Sequence, residues 1–276
     1  MTKIENFLCY FENTHFYFYF YAILIESRKK NNRLAVKKMN TTITPFIKWI
    51  GGKNQPLEEI RKKYPETISR YCEPFVGSGA VLLDVLIHFK PEAVLINDNN
   101  PELINTYIQL RDHIKTVVPM LGNMQDQFLS LRGTERKTYY YSKRNRFNEL
   151  IQKNVFSEEK AALFIFLNKT AFNGLYRVNS QGLFNAPPGK TKFPVICDVE
   201  QLKAISKMLK RVAIQCGDYQ ECTDFIDQNT LVYIDPPATE TLYKEEQMRL
   251  ISFIEQIAEK EANVLINRSG TILQIK

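Results

Sequence analysis

The sequence predicts an α/β fold with a mostly parallel sheet, on three observations. The first is a strand–glycine turn–helix–strand run from Tyr71 to Ile96, a β-α-β unit with an acid ending its second strand. The second is an apolar run, Leu231-Val232-Tyr233-Ile234, that ends abruptly at Asp235-Pro236-Pro237. Such a run reads as a buried strand. The third is the alternation after residue 190, where helix-patterned and strand-patterned segments follow one another to the C-terminus.

The elements follow in order. Tyr71 and Cys72 end a short strand, and Glu73-Pro74-Phe75-Val76-Gly77-Ser78-Gly79 is the turn. Ala80 to Phe89 is an apolar-rich helix. Ala93 to Ile96 is the next strand, closed by Asn97-Asp98-Asn99-Asn100. Gln201 to Lys210 is helical, and Val212 to Gln215 and Leu231 to Ile234 supply further strands. Tyr243 to Lys260 is an amphipathic helix with Met248, Ile251, Ile254 and Ile257 on its apolar side. Asn263 to Ile266 is expected as the last strand, which leaves a sheet edge open.

The chain has 276 residues, enough for one large domain or a domain with an insertion. Its 44% apolar content supports a full core. The net charge of +7 and a pI of about 9.0 favour a polyanionic partner. Five scattered cysteines without a Cys-x-x-Cys pair argue against a disulfide framework and point to a reducing cytoplasm. Three dispersed histidines give no metal site.

The first forty residues differ in character. Phe16 to Tyr21 alternate Phe and Tyr, and the apolar stretch reaches Ile25, too short for a bilayer span of roughly 20 residues. No membrane association follows. Residues 1–40 are expected to lie outside the fold, and Met39-Asn40-Thr41 is a plausible natural start.

Several segments carry chemistry. Gly77 and Gly79, between a strand and a helix, let backbone approach a ligand and free amides at a helix N-terminus. The turn lacks the Lys-Ser/Thr of a triphosphate-binding loop. Asp98 stands about twenty residues later, where an acid can take the hydroxyls of a ribose. A tight turn and a solvated acid are the bland alternatives; together the pair favours an adenosine-containing cofactor. Gly217-Asp218-Tyr219 follows the next strand; Asp218 can meet a cofactor's adenine amine or form an Asx turn. Asp235 and the two prolines form a rigid, carbonyl-lined lip suited to a planar amine.

The middle of the chain is basic and aromatic. Arg136, Lys137, Lys143, Arg144 and Arg146 interleave with Tyr139, Tyr140, Tyr141 and Phe147. Such a stretch suits phosphate contacts, and a solvated helix face has the same composition. Asn173 to Asn185 reads as a hairpin turning at Ser180-Gln181-Gly182. Asn173, Arg177, Asn179 and Asn185 are base-edge readers by type.

Taken jointly, these segments resemble the Dam-like DNA adenine methyltransferases, the D12 class, alpha group. The matching stretches are Lys48-Trp49-Ile50-Gly51-Gly52-Lys53, Glu73 to Gly79, Asn97-Asp98-Asn99, Leu167 to Arg177 and Asp235-Pro236-Pro237. They occur in the family's order and span roughly residues 44 to 268. The resemblance implies a Rossmann-like, S-adenosylmethionine-dependent methyltransferase fold with an inserted helical and hairpin DNA-recognition domain. The catalytic domain would comprise 41–110 and 191–276, and the recognition domain 111–190. It implies double-stranded DNA as substrate, a monomer, and a restriction endonuclease partner encoded nearby.

Residue by residue, the resemblance implies Trp49 and Lys53 against the cofactor. Phe75, Gly77 and Gly79 would wrap its methionine part, Asp98 would hold the ribose, and Asp218 would lie near its adenine. Asp235, Pro236 and Pro237 would be catalytic, with Asp235 between cofactor and substrate. Arg136, Lys137, Lys143, Arg144, Arg146, Asn173, Tyr176, Arg177 and Asn185 would contact DNA. The family carries an aromatic ring after the prolines, usually Tyr, where this chain has Ala238. The missing ring, a short loop to Tyr243 and a short C-terminal part predict impaired turnover, with a non-catalytic binding protein as the alternative.

Overall fold

The computed structural model describes residues 43–49, 57–237, 244–268 and 271–275. The N-terminal extension, Lys53 and Ala238 lie outside the described residues.

Six strands form one sheet: β1 (Arg70–Glu73), β2 (Ala93–Asp98), β3 (Val212–Cys216), β4 (Thr230–Ile234), β5 (Asn263–Arg268) and β6 (Thr271–Ile275). Their order is β3-β2-β1-β4-β5-β6, with β1 to β5 parallel and β6 antiparallel to β5. A strand beyond Ile266 was not expected. The Thr271–Ile275 segment alternates too weakly to be read as a strand alone, and its pairing to β5 decides it.

Both faces of a parallel sheet must be covered, and they are. One face carries Tyr71, Val94, Ile96, Leu231, Tyr233 and Leu265 in the larger core. The other carries Cys72, Leu95, Val232, Ile234 and Val264, packed beneath Tyr219, Leu250 and Phe253.

Eight helices accompany the sheet among the described residues: α1 (Leu57–Arg61), α2 (Ala80–His88), α3 (Pro101–Asp112), α4 (Ile114–Ser130), α5 (Gly133–Gln152), α6 (Glu158–Thr170), α7 (Val199–Leu209) and α8 (Lys244–Glu259). Local signals set their starts. Asn100 caps α3 by accepting from the amides of Glu102 and Leu103, with Pro101 at the first position. Ser157 caps α6 and Asp198 caps α7 in the same way.

Helix α6 is buried from Lys160 to Asn168, so it runs through the interior rather than over it. Its residues share one core with α3, α4, α5 and the sheet face, so the segment 111–190 packs continuously with the strands.

On α8 the buried residues are Leu250, Phe253 and Ile257, whereas Met248 and Ile251 are 56% and 48% exposed. This corrects the expected apolar side. Successive steps of three drift around a helix by about 60° each, so Met248 and Ile257 cannot share a face. Steps of three and four keep the stripe on one side.

An ion pair is buried where α3 meets α6. Lys160 Nζ lies 2.6 Å from Glu102 Oε2, and the side chains are 1% and 8% exposed. The ammonium also sits 4.5 Å over the Phe156 ring. Burial raises the Glu102 carboxyl more than Lys160 lowers it, so the pair gains little from its own attraction. Lys160→Met should destabilise the protein by about 3–5 kcal/mol because Glu102 is left unpaired. Adding Glu102→Leu should recover most of that loss in urea unfolding; no recovery would contradict this account.

Candidate active site

The strand order reverses between β1 and β4: the chain builds β2 and β3 on one side, then returns to build β4 and β5 on the other. The crevice outside the carboxyl ends of such strands is where open α/β sheets bind ligands. The turn after β1 holds Phe75, Gly77 and Gly79. Asp98 ends β2, Asp218 follows β3, and Asp235 follows β4.

The turn after β1 is held by β2. Val76 N donates to Asn97 O at 2.9 Å, and Gly77 N to Asp98 Oδ2 at 3.1 Å. Gly77 and Gly79 have φ of +47° and +70°, backbone that side chains resist. A Cβ on Gly77 would meet Trp49 Cδ1 at 2.8 Å, and one on Gly79 would collide with the Tyr107 hydroxyl. That hydroxyl donates to Gly77 O, fixing the turn from below.

Asp98 accepts Gly77 N on one oxygen and Asn100 N on the other. Burial raises its carboxyl, and these amides oppose the rise. A carboxylate has about four acceptor sites, so capacity remains for a diol. Phe75 packs on Tyr219, ring centroids 5.0 Å apart. Asp218 caps the short helix Tyr219–Phe225 through Gln220 N and takes Arg249 Nη2 at 2.6 Å. A purine amine at Asp218 therefore competes with a guanidinium.

Asp235 is half-buried, and Pro236 is buried beside it. Desolvation pushes the Asp235 carboxyl up to about 6, against a hydrogen bond from Asn267. Glu73 faces the same region from β1. It is 2% exposed, receives the Tyr71 hydroxyl at 2.8 Å, and burial drives its carboxyl toward the neutral form. Asn267 was missed in the sequence. It was legible only as one more residue past a β-strand.

The middle region divides. Lys137 is exposed, and Lys143 and Arg144 lie over the rings of Tyr139 and Tyr141. Arg146 is paired with Glu149 and Glu159. Arg136 donates to the carbonyls of Leu129, Leu131 and Lys192, and so clamps chain to chain. Its expected phosphate contact would require breaking that clamp.

The hairpin turns as expected. Gly182 N donates to Asn179 O, and Asn179 Oδ1 accepts from the amides of Gln181 and Leu183. Asn179 is thus a turn-former. Arg177 is exposed and donates through Nε to Asn185 Oδ1 at 2.7 Å. Asn173 is exposed with φ of +55°.

Tyr176 stacks on Trp49, centroids 5.4 Å apart at 25°, and packs against Phe164 and Phe184. In this packing it is a half-buried ring supporting Trp49, which its place in a hairpin did not reveal. Asn168 was also missed. It accepts Lys48 N and donates to Lys48 O and Gly174 O, fastening the segment 43–49 to the hairpin base.

The fold is an α/β architecture with a mostly parallel sheet, and its acids Asp98, Asp218 and Asp235 stand at the strand ends. The chain belongs to the D12 class N6 adenine-specific DNA methyltransferases, whose family model matches residues 49–269. It is 39% identical over 249 residues to the type II methyltransferase M.MjaIII of Methanocaldococcus jannaschii, covering 83% of this chain and 86% of that one. It is 32% identical to the type II methyltransferase M1.LlaDCHI of Lactococcus lactis, covering 88% and 86%. It is 30% identical to the DNA adenine methylase of Escherichia coli, covering 83% and 81%. Among the described residues no helix is long and apolar enough to cross a membrane.

Trp49 is the single tryptophan. Gly77→Ala should displace it, destabilise the turn by about 1–2 kcal/mol through the left-handed backbone, and red-shift the emission. A spectrum identical to the wild type would contradict the contact.

Proposed function

We propose that this DNA adenine methyltransferase takes its methyl group from S-adenosylmethionine and delivers it to the N6 amine of a defined adenine in double-stranded DNA. The carrying observation is the convergence of the glycine turn, Asp98 and Asp235 at the switch point of one sheet. The residues fit such a cofactor. Asp98 keeps acceptor capacity for a ribose, and the half-buried Phe75 and Trp49 offer apolar walls. When bound, S-adenosylmethionine supplies an electrophilic methyl on a positively charged sulfur.

The chain's own residues do the rest. An adenine amine is a poor nucleophile because its lone pair is delocalised into the ring. The base must also leave the duplex to be reached. The Asp235 carboxylate and the Pro236 carbonyl accept hydrogen bonds from the two amine N–H groups and draw the nitrogen toward tetrahedral geometry; the methylated nitrogen then loses one proton, for which the Asp235 carboxylate is the nearest acceptor. Pro237 keeps the lip rigid. Positioning lowers the barrier, and the acceptors stabilise the positive charge that develops on nitrogen. Lys137, Lys143 and Arg144 are suited to phosphates, and Arg177 and Asn173 to base edges. The names of two relatives as type II methyltransferases support a restriction endonuclease partner, and the reading has the chain act in the cytoplasm as a monomer.

Asp235→Ala should abolish transfer to duplex DNA while cofactor binding, measured by calorimetry, persists. Since the ionised carboxylate is the acceptor, the wild-type rate should fall as pH drops through about 6, the value to which burial pushes Asp235. Methylation sequencing of DNA from cells producing the chain reads the target site directly, and unmethylated adenines throughout would overturn the reading.

Ala238 favours a second reading, binding without turnover, because a stacking ring is worth about 1–3 kcal/mol per base. Ala238→Tyr should raise turnover by about ten- to hundredfold. An unchanged rate would place the fault elsewhere than stacking.

A further inference from the structure

Asp235 faces a buried amide side chain on the neighbouring strand. β4 and β5 pair in parallel with Ile234 opposite Ile266, so the next residues, Asp235 and Asn267, lie side by side. Side chains alternate along a strand, so Tyr233, Asp235, Leu265 and Asn267 share one face. Asn267 is 8% exposed and hydrogen-bonds both Asp235 and Tyr233. Its backbone is fixed in turn by β6, where it pairs with Ile272.

We infer that Asn267 is a positioning residue of the transfer reaction: its side-chain amide donates to one Asp235 carboxylate oxygen and leaves the other to accept from the substrate amine. The inference rests on Asp235 as the amine acceptor proposed above.

The physical need is clear from what surrounds Asp235. A carboxylate withdrawn from water favours its neutral form, and a protonated Asp235 offers the amine a competing donor. Glu73 faces it from β1 with its own carboxyl driven toward neutral by burial, and Tyr233 faces it from β4. Asn267 is the group that opposes desolvation there, and it also fixes the rotation of the carboxylate. An amide suits this task. A lysine would shield the acid from the amine, and a second acid would repel it.

The test compares pH–rate profiles of the wild type with Asn267→Leu, which removes the donor at similar volume, and Asn267→Asp, which keeps the shape. Loss of a hydrogen bond to a charged group should move the acid limb up by about one to two pH units in Asn267→Leu. At pH 6.5 the rate should fall roughly three- to twentyfold, and at pH 9 it should return to near wild type. Asn267→Asp should move the limb at least as far.

A second readout does not depend on turnover. The Asp235 carboxyl is assigned in carbon-13 NMR by its loss in Asp235→Asn, and is then titrated in each folded variant. A limb and a titration unmoved from wild type, with the rate lowered equally at every pH, would overturn the inference and leave Asn267 a packing residue. Full activity in Asp235→Ala would instead overturn the acceptor role itself.

Discussion

The corner at the end of β2 is the constraint on which the active edge depends. Asn97 is 1% exposed, and its side-chain amide donates to Pro74 O after β1 and to Gly217 O after β3, each at 3.1 Å. Its carbonyl takes Val76 N, and Asp98 O takes Gly217 N at 3.3 Å. Asp98 holds Gly77 N, and Asn100 caps α3. Asn97 and Asp98 therefore tie neighbouring strand ends into one surface. Parallel strands lack hairpin connections, so nothing in their own ladder aligns their ends. Two short polar residues do that here.

The other half of the edge is governed by desolvation. β1 and β4 are interior strands of the sheet, and the acids at their ends, Glu73 and Asp235, lie on the face that carries the larger core. Glu73 is fully withdrawn and serves inside a tyrosine cluster with Tyr71, Tyr64 and Tyr107. Asp235 is only half-withdrawn and keeps its charge near neutral pH. Burial pushes both carboxyls upward, and the one that reaches solvent is the less withdrawn of the two. Asp98 and Asp218 differ again: the first is held by backbone amides, the second by Arg249.

The sheet and the glycine turn were legible because backbone demands carry sequence signatures. Apolar runs, paired glycines and polar caps each have few alternatives. The α8 face was misread because a triplet spacing mimics the true stripe over a short window. Side-chain partnerships were not legible. Arg136 looks like any cation in a basic helix, yet its donors go to three carbonyls. Tyr176 sits in a polar hairpin and still packs its ring against Trp49 and Phe164. Asn267 acquires meaning only from the β4–β5 register, a pairing that single-sequence periodicity does not contain. What sequence conceals here is long-range pairing: Asn168 with Lys48, Arg249 with Asp218, Asn267 with Asp235.

These pairings make the hairpin and the glycine turn one body. Trp49 touches the glycine turn on one side and stacks on Tyr176 of the hairpin on the other. Tyr176 continues the contact to Phe164 of α6 and Phe184 on the returning hairpin arm. Asn168 adds hydrogen bonds to Lys48 and Gly174 at the same junction. Any shift of the hairpin base must break that stack and those bonds together. Arg177 is steadied on this base by Asn185, so its guanidinium starts from a fixed orientation relative to the turn. The position of the hairpin base relative to the glycine turn is therefore set by packing, and only its exposed side chains, Arg177 among them, remain free to adapt.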